Sequence, residues 1–150
     1  MSMADYELAK AIVSAHKTKA QFAGPRSEEL VKAAEDALGV SFPPTYQRFL
    51  LEYGAGSFGW VEFYGVINSD FVNSSVPDAI WSTLTQRQRV KLPREFVIVG
   101  DTGTGELYAL DLSVSSGPVV VVDPGAANPK REDVAEDFGA FFFQHVQQVA

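Results

Sequence analysis

The sequence predicts an α+β fold in which a mainly antiparallel sheet, one strand plus a three-strand meander, packs against N-terminal helices and a C-terminal helix. Apolar residues recur at helical spacing near both ends of the chain, and three apolar runs crowd into residues 96–123 with only turn-length segments between them. A parallel arrangement would need a crossover of a dozen or more residues between successive strands, which those segments cannot hold. The 150 residues, 46% hydrophobic with 11 Phe, suffice for one core, so a single domain over residues 1–150 is expected.

The elements follow in order. Residues 3–19 place Leu8, Ile12 and Ala15 on one side of a first helix. Ser27 stands as the N-cap of a second helix, with Glu28 and Glu29 in its first turn, Leu30, Ala34, Ala37 and Leu38 inward, and Gly39 as its left-handed stop. Pro43 and Pro44 hold the preceding segment extended, and a third helix carries the aromatic stripe Tyr46, Phe49, Leu50 and Tyr53, closed by Gly54. Residues 60–66 read as a strand in which Trp60 and Tyr64 alternate against Val61 and Phe63. Residues 67–75 are irregular, and Pro77, Asp78, Ile80, Trp81 and Leu84 predict a fourth helix to about Arg89. The meander comprises residues 96–99, 106–112 and 119–123. Residues 132–149 place Val134, Phe138, Phe141, Phe142, His145 and Val149 on one stripe of a closing helix expected to lie across the sheet.

Charge and composition narrow the function classes. The net charge is −7, and no Lys or Arg lies between Arg48 and Arg87, where Glu52, Glu62, Asp70 and Asp78 are acidic. From Glu95 to Lys130 the only charges before the lysine are Glu95, Asp101, Glu106, Asp111 and Asp123. A field of that sign repels phosphate backbones and speeds encounter with a basic protein, so the expectation is a protein partner and no direct nucleic acid. The alternative is a charge that serves solubility alone. Cysteine is absent, which removes thiolate metal sites and cysteine nucleophiles and fits a reducing compartment. Without a signal-like or membrane-spanning apolar stretch, the expectation is a cytoplasmic protein without membrane partners.

Gly54, Gly56 and Gly59 spell G-x-G-x-x-G, but a dinucleotide site needs a strand before the glycines and a helix after them. Here a helix precedes and a strand follows, so the glycines read as a turn. Gly100, Gly103 and Gly105 lack the lysine of a phosphate loop and the ligand spacing of a calcium loop, and read as a hairpin turn whose backbone Asp101 can bond. His16 and His145 have no partners at metal-ligand spacing, and Ser57 lacks a nucleophile-elbow context. No catalytic, cofactor or metal residue is assigned and no enzyme activity is expected; a hydrolase using His145 is the rival class. Arg87, Arg89, Lys91 and Arg94 form a basic cluster without interleaved aromatics, read as a solvated helix end.

The run L-G-V-S-F-P-P-T-Y-Q-R-F-L-L-E-Y-G-A-G, the segment F-V-I-V-G-D-T-G-T-G-E and the closing V-A-E-D-F-G-A-F-F-F resemble the SUKH superfamily of Smi/Knr-like domains, over about residues 27–146. The resemblance implies a sheet-and-helix domain without an active site. Many of its bacterial members look like immunity proteins that neutralise polymorphic toxins, often nucleases, and its fungal members are linked to cell-wall assembly and signalling, which supplies a regulatory scaffold as the alternative role. Matched to its motifs, Leu38, Pro43, Tyr46, Phe49, Leu50, Gly54, Gly100, Asp101, Gly103, Gly105 and Phe138 look like fold determinants. For partner contact the reading offers acidic and aromatic residues around the two Gly-rich turns: Glu52, Phe58, Trp60, Glu62, Asp101, Glu106 and Asp111, facing a basic toxin domain.

Overall fold

The computed structural model describes residues 2–150 and has the expected α+β organisation, with five α-helices and two antiparallel sheets. Helix α1 (Ser2–Ala15) leads through a short 3-10 turn into strand β1 (Ala20–Phe22), followed by α2 (Glu28–Leu38) and α3 (Pro44–Glu52). Strands β2 (Gly56–Phe58) and β3 (Val61–Phe63) form a hairpin and complete a first sheet in the order β1-β2-β3. After α4 (Ala79–Val90), strands β4 (Phe96–Asp101), β5 (Leu107–Asp111), β6 (Val119–Val122) and β7 (Lys130–Ala135) form the second sheet in sequence order, and α5 (Phe138–Val149) closes the chain.

Three features differ from the sequence reading, besides a first helix that ends at Ala15 and not at residue 19. The meander has a fourth strand, because residues 130–135 pair with β6 and the closing helix begins only at Phe138. Asp137 sets that start by accepting a hydrogen bond from the Ala140 backbone N–H at 3.0 Å. The single strand expected over residues 60–66 is instead the hairpin β2–β3, with Phe58 paired to Val61 across a two-residue loop, Gly59-Trp60. Helix α1 buries Tyr6, Ala9 and Val13, whereas Leu8 remains 50% exposed and Ala15 faces solvent. Tyr6 decides that face: its ring packs on Phe142 of α5 at 5.9 Å and its hydroxyl donates to Glu52 at 2.6 Å.

Elsewhere the local chemistry acts as read. The Ser27 hydroxyl accepts from the Leu30 N–H, Gly39 takes φ 71° after α2, and Asp78 caps α4 by accepting from the Ile80 and Trp81 N–H groups. In α2, Val31 joins Ala34 and Leu38 in the core while Ala37 is exposed. Arg87 departs from the solvated cluster assigned to it. Its guanidinium donates to the Leu38 carbonyl at 2.9 Å and the Arg94 carbonyl at 3.1 Å, so it satisfies an orphan carbonyl at the end of α2.

The core is an aromatic layer between α3, α5 and β3. Phe49 lies 4.9 Å from Phe138 and 5.3 Å from Phe142, ring centre to ring centre, and Phe63 lies 5.0 Å from Phe142. Tyr46, Phe49, Phe63, Phe138 and Phe142 have no exposed surface, and the Tyr46 hydroxyl donates to the Tyr64 carbonyl. Burial of such rings, with edge-to-face contacts added, is the main favourable term here. The two sheets meet where the Tyr64 N–H donates to the Val99 carbonyl at 2.9 Å, and α4 covers the same side of β4, with Thr83 accepting from the Ile98 N–H. That junction brings β3 and β4 side by side and shapes the site.

Candidate functional site

A concave groove of about 610 Å³ opens where the two sheets meet. Its rim carries Trp60, Glu62 and Asp101, and Tyr64, Tyr108, Phe141 and His145 also line it. Backbone geometry explains the display of Trp60. The turn Gly59-Trp60 puts glycine first, at φ 60°, as a tight two-residue hairpin of that type requires. A Cβ on Gly59 would overlap Val149 of α5, and the Gly59 N–H donates to the Lys19 carbonyl at 2.9 Å. The Lys19 ammonium in turn donates to the Val149 carbonyl at 2.7 Å. Trp60 therefore stands on a fastened turn while the residue is left 77% exposed.

Glu62 follows from strand alternation: Val61 and Phe63 face the core, so Glu62 faces out. Asp101 ends β4, where its carboxylate accepts from the Gly103 N–H at 2.6 Å and fixes the turn into β5. Both carboxylates act on Tyr64: burial, then Asp101 and Glu62, push its hydroxyl up to about 12. Among the described residues, neither Glu62 nor Asp101 forms an ion pair with Lys or Arg, and no Lys or Arg lines the groove.

Tyr108 and His145 come from distant elements, β5 and α5. The Tyr108 ring lies 4.9 Å from Phe141 and 5.5 Å from His145. His145 Nδ1 sits 2.9 Å from the Phe141 carbonyl, which can only accept, so Nδ1 carries the proton and Nε2 is the ring's free acceptor. Burial lowers its pKa, against the pull of that carbonyl, and so favours the neutral ring. Its orienting partner is thus a backbone carbonyl, unlike the carboxylate-held histidine of a Ser-His-Asp relay.

The other residues offered from the sequence lie elsewhere. Phe58 is fully buried and belongs to the core. Glu52 faces α1, accepting from Tyr6 and Lys10 and pairing with Arg48 at 3.4 Å. Burial pushes its carboxyl up, but those donors outweigh it and hold it below its ordinary value. Asp111 is buried and accepts from Ser113 and Lys130, a closure of the β5–β6 turn. Glu106 is half-buried, 3.9 Å from Arg131 of β7. The structure gathers Trp60, Glu62 and Asp101 and disperses the remainder.

The two glycine strings behave as backbone devices. Gly56 lies in β2 opposite Phe22 and Phe63, where a Cβ would overlap the Gln21 carbonyl, and a strand follows Gly59. The β4–β5 turn is a hairpin, as its pairing shows. No group of three or more His, Asp or Glu side chains able to hold a metal occurs among the described residues, and no described helix is long and apolar enough to cross a membrane.

Comparison with known proteins adds three findings. The family profile SUKH_6, described as SMI1-KNR4 cell-wall, matches residues 28–142. No curated protein matches the chain. A solved structure titled as a protein from Pseudomonas syringae pv. tomato superposes with a TM-score of 0.63 at 15% identity, covering 88% of this chain and 93% of that one, a likeness of fold.

Proposed function

Since the chain belongs to the SMI1-KNR4 cell-wall (SUKH) family, we propose that it is a non-enzymatic binding protein that acts in the cytoplasm as an immunity protein, seating a basic surface of a toxin domain in the groove between its sheets. The observation that carries this reading is Trp60, a large apolar side chain held exposed on a rigid turn and flanked by two carboxylates without cationic partners. A half-open aromatic anchor with a charged rim is the anatomy of a protein-binding hot spot. The acidic rim matches the basic groove with which a nuclease holds its phosphate substrate, so occupying that groove would block the enzyme and steer the encounter.

The cell-wall description of the family favours a second reading, in which the same groove holds an endogenous regulatory partner. Co-expression separates the two. A toxin domain encoded beside this gene should kill cells alone and be tolerated when the wild-type chain is present, with protection lost in Trp60→Ala. Undiminished killing in the presence of soluble wild-type protein, or a gene neighbourhood without any toxin domain, would contradict the immunity role.

A further inference from the structure

We infer that the groove is built to take one arginine side chain of its partner, with the guanidinium laid on an aromatic face and held by the carboxylates of Glu62 and Asp101. This deepens the binding role and rests on that reading. Four features of the lining converge on a cationic, planar group. Trp60 offers an exposed indole, the side chain with the strongest attraction for a cation over its face. Tyr108 is half-buried in the same lining, with its own pKa raised by burial and then by Glu132, so it stays a neutral phenol. Glu62 and Asp101 supply negative charge in the same lining, one from the outward face of β3 and the other from the end of β4. His145 adds a neutral acceptor, since Nδ1–H is already committed to the Phe141 carbonyl.

Arginine fits this lining better than lysine on three counts. A guanidinium stacks on aromatic rings, forks to carboxylates through five fixed donors, and is more weakly hydrated than an ammonium, so it enters an apolar groove at lower cost. No Lys or Arg lines the groove among the described residues; Arg89 lines an adjoining cavity that shares Tyr64 and Asp101 with it but forms no ion pair with Asp101. The 610 Å³ volume exceeds one side chain, which leaves room for the flanking backbone of a partner loop.

The probes are acetyl-arginine methylamide, its neutral isostere acetyl-citrulline methylamide, and acetyl-lysine methylamide, each titrated into the whole protein and followed by backbone and indole N–H chemical shifts. Arginine is expected to move the Trp60 indole and residues 62, 101 and 145, with citrulline weaker by about tenfold or more. Glu62→Gln with Asp101→Asn should reduce arginine binding to the citrulline level without changing citrulline, and Trp60→Leu, which keeps apolar area and removes the π face, should narrow the gap between the two probes. Citrulline or lysine binding as tightly as arginine, shifts centred away from the groove, or no arginine response up to its solubility limit would each overturn the inference. The outcome is separable from the toxin experiment. Protection by a chain indifferent to arginine leaves the immunity role standing and removes this inference, whereas arginine binding without protection does the reverse.

Discussion

Two regions use the same side-chain types to opposite ends. In the layer between α3 and α5, aromatic rings touch one another on every side, and the acids nearby are matched: Glu52 by Tyr6, Lys10 and Arg48, and Asp137 by the Ala140 N–H. In the groove, Trp60 has most of its surface in water, and Glu62 and Asp101 have no cation. Folding alone would favour removing an exposed indole and the charges of two carboxylates on one groove, because the indole costs solubility and the like charges repel. The one local return, the Gly103 N–H bond to Asp101, needs only a neutral acceptor. Their placement on a fastened turn and a strand end points to work done after folding.

The largest expected effect tests the first region. Phe49→Ala removes the ring at the centre of the aromatic layer and should cost about 3–5 kcal/mol in chemical denaturation, enough to leave the domain marginal. Next comes the groove: Trp60→Ala should cost about 2 kcal/mol or more of partner affinity while shifting folding stability by less than about 0.5 kcal/mol. An equal loss in both quantities would erase the distinction between the regions. Asp137→Ala deletes the α5 cap and should destabilise by about 1 kcal/mol, read from the urea midpoint, with partner affinity per folded molecule unchanged.

The smallest effect is in the pH dependence. Burial pushes the Asp111 carboxyl up, but its bonds from Ser113 and Lys130 win and hold its pKa below the ordinary value in the folded state. A depressed folded-state pKa contributes stability that is present above the unfolded value, near 3.8, and is lost as pH falls through the folded one. Asp111→Asn should therefore flatten the acid limb of the stability curve below about pH 4, and an unchanged limb would show that the buried carboxylate is not held as described.

Features written in contiguous residues were legible in the sequence. Ser27 and Gly39 bracket α2 because cap geometry is local, Asp78 opens α4 for the same reason, and both glycine strings could be read as turns, the first from element order and the second from its missing lysine and its spacing. Pairing that depends on a remote partner was not. Strand β1 is three residues long and exists because β2 lies beside it, and β7 spells K-R-E-D-V-A, whose charges suit an exposed sheet edge and read equally as a helix turn. On α1, Leu8-Ile12-Ala15 and Tyr6-Ala9-Val13 both have helical spacing, and only the position of α5 selects the second. The sequence does carry a local signal at Gly59-Trp60, where glycine leads a two-residue turn between alternating S-F and V-E-F segments. Of the groove's lining, Trp60, Glu62 and Asp101 could be reached from the glycine turns, though the same reasoning also offered Glu52, Phe58, Glu106 and Asp111, which lie elsewhere. Tyr108 and His145 could not, since nothing in the order of residues brings β5 and α5 to the same groove.

The most direct test of the central claim, that the groove is surplus to folding, is the urea midpoint of the triple variant Trp60→Ala, Glu62→Gln, Asp101→Asn. The two amide replacements keep the local acceptors, and removing like charges relieves repulsion, so the midpoint should equal or exceed that of the wild-type chain. A fall equivalent to about 2 kcal/mol, the scale of a core truncation, would mean that these three side chains hold the fold together and would contradict the account.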